Sequence, residues 1–185
     1  ADLVAAAVME DPPLMPPAEN EPEAGAGSLP EDSSLLQSFR MIRETAPQFQ
    51  AAGMAADVLA GGLAAAPAAS GGTFGELLHP DGVSAMAEAL LTVDAGVLDP
   101  VLDGTARSFV DPAVPVAAPA LIVCADPAKP DAIADPDLAR RLASISPAVE
   151  VVTVAGAGHL IHDELGSRDT FRTLVVEFLA RAGSA

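Results

Sequence analysis

Apolar positions along the chain fall into short continuous runs and helical stripes separated by turn-forming segments. Residues 3 to 9, "LVAAAVM", form a continuous apolar run ended by "EDPPLMPP", the pattern of a strand buried on both faces. Residues 16 to 30 are rich in Pro, Glu and Gly without periodicity and read as a mobile acidic loop. Ser34 and Gln37 then have the S-x-x-Q spacing of a capping box, and Leu35, Leu36, Phe39 and Ile42 share one helical face. From Met54 to Gly72 the chain is Ala- and Gly-rich and nearly featureless, whereas apolar residues recur at helical spacing from Val83 to Leu102, before "DPVLDG" ends the run. Residues 31 to 110 therefore read as a small, mostly helical subdomain.

The pattern changes at "VPVAAPALIVCADPAKPD". Pro119 leads into a buried strand, Ala120 to Cys124, that stops at an acidic turn. Asp135 can cap the next helix with Pro136 in its first turn, and Leu138, Leu142 and Ile145 make its inner stripe. "VEVVTV", residues 149 to 154, is a further strand. Phe171, Leu174, Val175, Phe178 and Leu179 then repeat at the spacing of a helix laid on a sheet. Strand, helix, strand, helix predicts an α/β fold with a parallel sheet.

Charge and cysteine content narrow the classes of partner. Half of the 185 residues are hydrophobic, enough for one domain with a sizeable core. Twenty-six acidic side chains against nine Lys and Arg give a net charge of −17, a field that repels nucleic acid and anionic membrane surfaces. The lone Cys124 cannot form an internal disulfide and reads as a small core residue, and no apolar run is long enough to span a bilayer. A cytoplasmic location follows as the default expectation. The chain starts at Ala1 without Met and without a basic signal segment, which suits a processed chain or a piece of a longer one.

In parallel sheets, ligands meet the loops at the carboxyl ends of strands, and Asp126 and His159 both sit just beyond such ends. A carboxylate on one imidazole nitrogen fixes the tautomer and leaves the other nitrogen to take a proton from a nucleophile, so the pair reads as two thirds of a catalytic triad. His162 reads as a locally packed or bonded residue and His79, in "LLHPDG", as a turn residue. Three dispersed histidines and one cysteine make no metal-site spacing, and no Gly-rich phosphate loop occurs, so neither metal nor cofactor is expected.

"PALIVCADPAKPDAIADPDLARRL", then "VEVVTVAGAGHLIHDE", then a closing helix resembles the last quarter of an α/β-hydrolase, and "GAGHLIHDE" resembles that superfamily's catalytic-histidine loop. "ADLVAAAVMEDPPL" resembles the strand that follows the nucleophile helix. The resemblance implies residues 1–11 as a core strand, 12–115 as a helical cap and 116–185 as the C-terminal core with the acid and His loops. It also implies a small-molecule substrate. Most relatives place the triad acid where Asp126 and Asp131 stand, some where Glu10 and Asp11 stand. Asp126 is the first choice, Asp131 reads as a solvated loop residue, and Glu10 and Asp11 are the alternatives.

The nucleophile elbow of that superfamily, G-x-S-x-G or its Asp and Cys versions, is not found. "AASGGT" around Ser70 lacks the leading Gly and the preceding strand. The resemblance therefore implies a hydrolase for an ester, lactone or similar small apolar substrate, with haloalkane and epoxide chemistry also open. The nucleophile would come from a complementary N-terminal hydrolase segment or chain, and residues 3 to 9 would be an unpaired sheet edge, which invites pairing. The alternative is a non-catalytic binding or assembly subunit that keeps the half-fold.

Overall fold

The computed structural model describes residues 4–13, 34–103, 105 and 114–183. The acidic loop at 16–30 and the capping role of the Ser34 side chain lie outside the described residues. The strands are β1 (Ala7–Glu10), β2 (Ala120–Cys124) and β3 (Val149–Thr153). The helices are α1 (Ser34–Ala51), α2 (Ala56–Ala65), α3 (Phe74–Leu77), α4 (Pro80–Thr92), α5 (Asp99–Leu102), α6 (Pro136–Ile145) and α7 (Arg168–Ala182), with a 3-10 turn at Ala95–Leu98. The chain divides into two compact units, Ala1–Gly27 with Ser108–Ala185, and Ser28–Arg107.

The first unit is mixed α/β. Its three strands are parallel in the order β1-β2-β3, with Ala7 opposite Ala120 and Ala120 opposite Val149. The central strand is an unbroken apolar run because both of its faces are covered: all five residues of β2 are buried. Ala120, Ile122 and Cys124 join a core with Leu138, Ala139 and Leu142 of α6, while Leu121 and Val123 join a second core with Ile161 and with Phe178 of α7. Alternate residues of one strand thus face two helices, and each large apolar side chain removed from water contributes about 1.5–3 kcal/mol. α6 starts where the sequence asks it to. The Asp135 side chain accepts the backbone N–H of Asp137 and of Leu138, and Pro136 occupies the first turn.

Three expectations shift. The first strand spans residues 7–10 rather than 3–9, and all four positions are half-buried rather than buried, because β1 is an edge strand paired to β2 alone among the described residues. Ile145 is exposed, since α6 ends there and the chain turns through Ser146. Ser146 is buried in its place, its hydroxyl accepting the Val116 N–H at 2.9 Å. Leu179 is also exposed. The face of α7 packed on the core is Phe171, Leu174, Phe178 and Ala182, with Phe178 buried and the others partly buried.

The second unit is helical among its described residues. Leu36 and Ala46 of α1, Leu59 of α2, Leu78 just after α3, Val83 and Ala87 of α4, and Ala95 are its buried apolar residues. Gln50 of α1 donates to the carbonyls of Leu90 and Val93 at 3.0 and 2.9 Å, satisfying two orphan acceptors at the end of α4. The stretch from Met54 to Gly72 contains α2, whose alanines disguise its period. The run from Val83 to Leu102 is broken at Asp94, whose carboxylate accepts the Gly96 N–H at 3.0 Å and opens the 3-10 turn. Among the described residues no helix is long and apolar enough to cross a membrane.

Ile122 is fully buried at the centre of the sheet. Ile122→Ala is expected to lower the stability of the sheet-containing unit by about 2–5 kcal/mol. Urea unfolding followed by far-UV circular dichroism measures it, because the chain has no Trp or Tyr. A change below about 1 kcal/mol would contradict the described core.

Candidate active site

The site is built at the carboxyl ends of the three strands. The ladder continues one residue past β1, where the Asp11 N–H donates to the Val123 carbonyl at 2.7 Å. Asp11 then adopts φ +35, the left-handed region, which ends the strand and turns the side chain inward. Strain of this kind costs on the order of 1–3 kcal/mol for a non-glycine residue, although aspartate tolerates it better than most. The carboxylate is completely buried and fully engaged. Its Oδ1 accepts the N–H groups of Ala125 and Ala134 at 3.0 and 3.1 Å, and its Oδ2 accepts that of Ile133 at 2.9 Å and lies 3.0 Å from His159 Nδ1. Burial alone would raise the pKa of Asp11. The His159 bond and the three backbone donors outweigh it and hold the carboxyl below its ordinary value.

An ionised carboxylate only accepts, so in the neutral imidazole Nδ1 carries the hydrogen and Nε2 keeps its lone pair. The side chain of His159 is one third exposed, and Nε2 has no hydrogen-bond partner among the described residues. The ring is therefore oriented on one side and open on the other.

The backbone that carries His159 is tied down by other acids. Val154 N–H extends the sheet to the Cys124 carbonyl, and Asp126 N–H donates to the Ala157 carbonyl, so the loop begins in contact with the end of β2. Gly156 has φ +78, which a side chain would strain, and its N–H donates to Asp126 Oδ2 at 2.7 Å. Gly158 N–H donates to both oxygens of Glu164, at 2.8 and 3.0 Å. A Cβ on Gly158 would lie 2.5 Å from carboxylate oxygens of Asp131 and of Glu164, so a side chain there would have to displace both. Ser167, buried at the start of α7, donates to the Ile161 carbonyl at 2.9 Å and closes the loop.

The first-choice acid is therefore corrected. Asp126 does stand at the carboxyl end of β2, but its oxygens accept the N–H groups of Ala128 and Gly156, and these two bonds hold its pKa down. It braces the histidine loop. Asp11, one of the alternatives, is the residue on the ring. Glu10, the other, meets His162 instead, with Oε1 accepting the His162 N–H at 2.9 Å and lying 2.8 Å from His162 Nδ1. Asp131 Oδ2 is 3.4 Å from the His159 backbone nitrogen, so it faces the loop rather than solvent alone. His79 Nδ1 accepts the Asp81 N–H at the start of α4. Ser70 belongs to the helical unit, inside the turn closed by the Pro67–Thr73 bridge, and not to a strand end. Cys124 is buried, and desolvation, with Asp11 nearby, pushes its thiol up to about 11, so it stays protonated at neutral pH. Sequence reasoning missed Glu164 and Ser167. Their only signal was a serine three residues after an acid, ahead of an apolar stripe.

Among the described residues no cluster of His, Cys, Asp and Glu is arranged to hold a metal ion. A shallow concavity lined by Asp135, Asp137, Arg140, Arg141 and Ser144 lies on α6 and includes neither Asp11 nor His159. Chemically, the pair can accept a proton at Nε2 and stabilise the resulting imidazolium with a buried anion. Comparisons with protein-family models, curated proteins and solved structures found no match to this chain.

Because Asp11 has a lower pKa folded than the 3.8 of a free aspartate, the unfolded chain takes up this proton first on acidification. Its contribution to stability is thus complete above the unfolded value and disappears as pH falls through the folded one. Asp11→Asn is expected to cost about 2–4 kcal/mol at pH 7, by leaving buried N–H donors without a full acceptor. The gap between the two proteins should close progressively below pH 4. Urea unfolding of both proteins from pH 7 to pH 2 measures it, and a gap independent of pH would remove the charge from the explanation.

Proposed function

We propose that this chain carries the acid and the histidine of an α/β-hydrolase-type enzyme acting on an ester, lactone or similar small apolar substrate. The observation that carries this reading is the contact between a buried, ionised Asp11 and Nδ1 of His159 at the carboxyl ends of parallel strands, with Nε2 left open. The resemblance of the sheet segments and of "GAGHLIHDE" to that superfamily supports it. The helical unit is the cap in this reading, and the location is cytoplasmic, in keeping with a single free thiol.

The nucleophile is supplied by a complementary N-terminal hydrolase segment or chain. The edge of β1 supports this, since it pairs with β2 alone among the described residues and its other side offers a further strand a row of backbone groups. In the reaction, Nε2 of His159 takes the proton of the nucleophile as the nucleophile bonds to the acyl carbon. The imidazolium, held by Asp11, then gives that proton to the departing alcohol as the acyl–oxygen bond breaks. Water repeats the cycle, losing a proton to Nε2 and releasing the acid. Asp11 remains ionised throughout.

Hydrolysis of a short-chain aryl ester tests the reading, with this chain alone and joined to the polypeptide encoded upstream of it. Turnover is expected only in the joined form, with His159→Ala and Asp11→Asn each lowering kcat by about 10³–10⁴-fold. Turnover indifferent to His159→Ala would remove the catalytic role. Binding without turnover in the joined form would favour the non-catalytic subunit.

A further inference from the structure

Two consecutive carboxylates at the end of β1 hold two histidines of one loop. Asp11 takes the ring of His159. Glu10 takes both the backbone N–H of His162, at 2.9 Å, and its ring nitrogen Nδ1, at 2.8 Å. The other ring nitrogen of His162 lies 3.1 Å from Asp163 Oδ2, and the ring stands 6.2 Å from that of Phe171 on α7. Whichever nitrogen carries the proton of the neutral ring, a carboxylate is placed to accept it.

We propose that Glu10 and His162 are a positioning pair that sets the orientation of His159 on Asp11. Asp126 and Glu164 hold the loop at Gly156 and Gly158, ahead of the ring. Glu10, the residue next to Asp11, holds it three residues beyond the ring, so His159 is fixed from both sides. Ile161, fully buried between the two histidines, adds an apolar third point in the core beside Leu121 and Val123. Two bonds to the end of β1 and one anchor in the core thus hold residues 159–162 in one orientation. The imidazole then meets Oδ2 with its Nδ1 edge.

The energetics separate positioning from bulk stability. The His162 side chain is 47% exposed, and a side-chain contact this open to water adds little to unfolding free energy. The Glu10 bond to the His162 N–H instead fixes a loop that has no ladder of its own. Its loss is felt locally, at the ring of His159.

The test concerns the same site as the hydrolase reading but needs no substrate, so either can fail alone. The chain has three histidines, so imidazole signals of the intact protein labelled with ¹⁵N can be assigned with His79→Gln and His159→Gln. In the unmodified protein His159 is expected in the Nδ1-protonated tautomer with a slowly exchanging Nδ1–H. In Glu10→Ala that proton is expected to exchange at least about tenfold faster, with both tautomers present and the urea midpoint little changed. Glu10→Gln, whose amide oxygen still accepts the His162 N–H, should restore most of the slow exchange. Identical His159 tautomer and exchange in the unmodified protein and Glu10→Ala would overturn the proposal. Should Glu10→Ala fail to fold, Glu10→Met, which keeps the length of the side chain without its carboxylate, carries the test, and a His159 signal unchanged there would overturn it equally.

Discussion

The sheet-containing unit is organised around one buried negative charge. The Asp11 carboxylate accepts from the residue after β2, from two residues ahead of α6 and from the loop between β3 and α7. Three segments remote from Asp11 in sequence thus converge on two oxygen atoms. A buried charge is a costly way to join segments, because its hydration is lost, and apolar packing of equal volume is often as stable. What an apolar residue cannot do is hold an imidazole in one tautomer. The left-handed backbone of Asp11 belongs to the same arrangement, since the turn it makes brings the carboxylate back over the end of β2. Bonds to a charged acceptor are worth about 1.5–3 kcal/mol each, so four of them offset backbone strain of on the order of 1–3 kcal/mol.

Segments whose environment is set by their own neighbours were legible in the sequence. β2 was read to its limits, because a central parallel strand is apolar at every position and is bounded by Pro119 and an acidic turn. The start of α6 was equally plain, since Asp135 and Pro136 cap it through contacts within a few residues. Less was visible where alanine dominates. In α2 the sequence "ADVLAGGLAA" favours a helix by propensity but shows no polar face, so periodicity passes over it. The limits of the stripes on α6 and α7 failed at Ile145 and Leu179 for a related reason. Spacing identifies a helical face but does not say where the sheet beneath it stops.

The identity of the acid was hidden because it is a long-range choice. Asp11 and His159 are 148 positions apart, and the sequence offers several acids at strand ends: Glu10, Asp11, Asp126 and Asp131. Composition and spacing make these equivalent. What separates them is which backbone donors each can reach, and that depends on the path of two loops. Asp126 looks at its own turn and at Gly156, while Asp11 is buried among three N–H groups and its Oδ2 also meets the ring. Direction separates the two acids, since the oxygens of Asp126 face Ala128 and Gly156 and not the ring.

The acidic character of the chain has a local counterpart in this loop. Asp126 takes the N–H of Gly156, Glu164 that of Gly158, and Glu10 that of His162, with Asp131 near that of His159. Backbone donors that a helix or strand would satisfy internally are satisfied here by carboxylates. The consequence is a segment without regular secondary structure whose backbone is nevertheless bonded nearly residue by residue, and rigid support of that kind is what a preorganised site needs. It also restricts the residues the loop can contain. A side chain at Gly158 would displace two carboxylates, and one at Gly156 would resist the left-handed turn. The small residues before His159 thus follow from the acids around them: the carboxylates need exposed N–H groups at close range, and glycine leaves those groups uncovered.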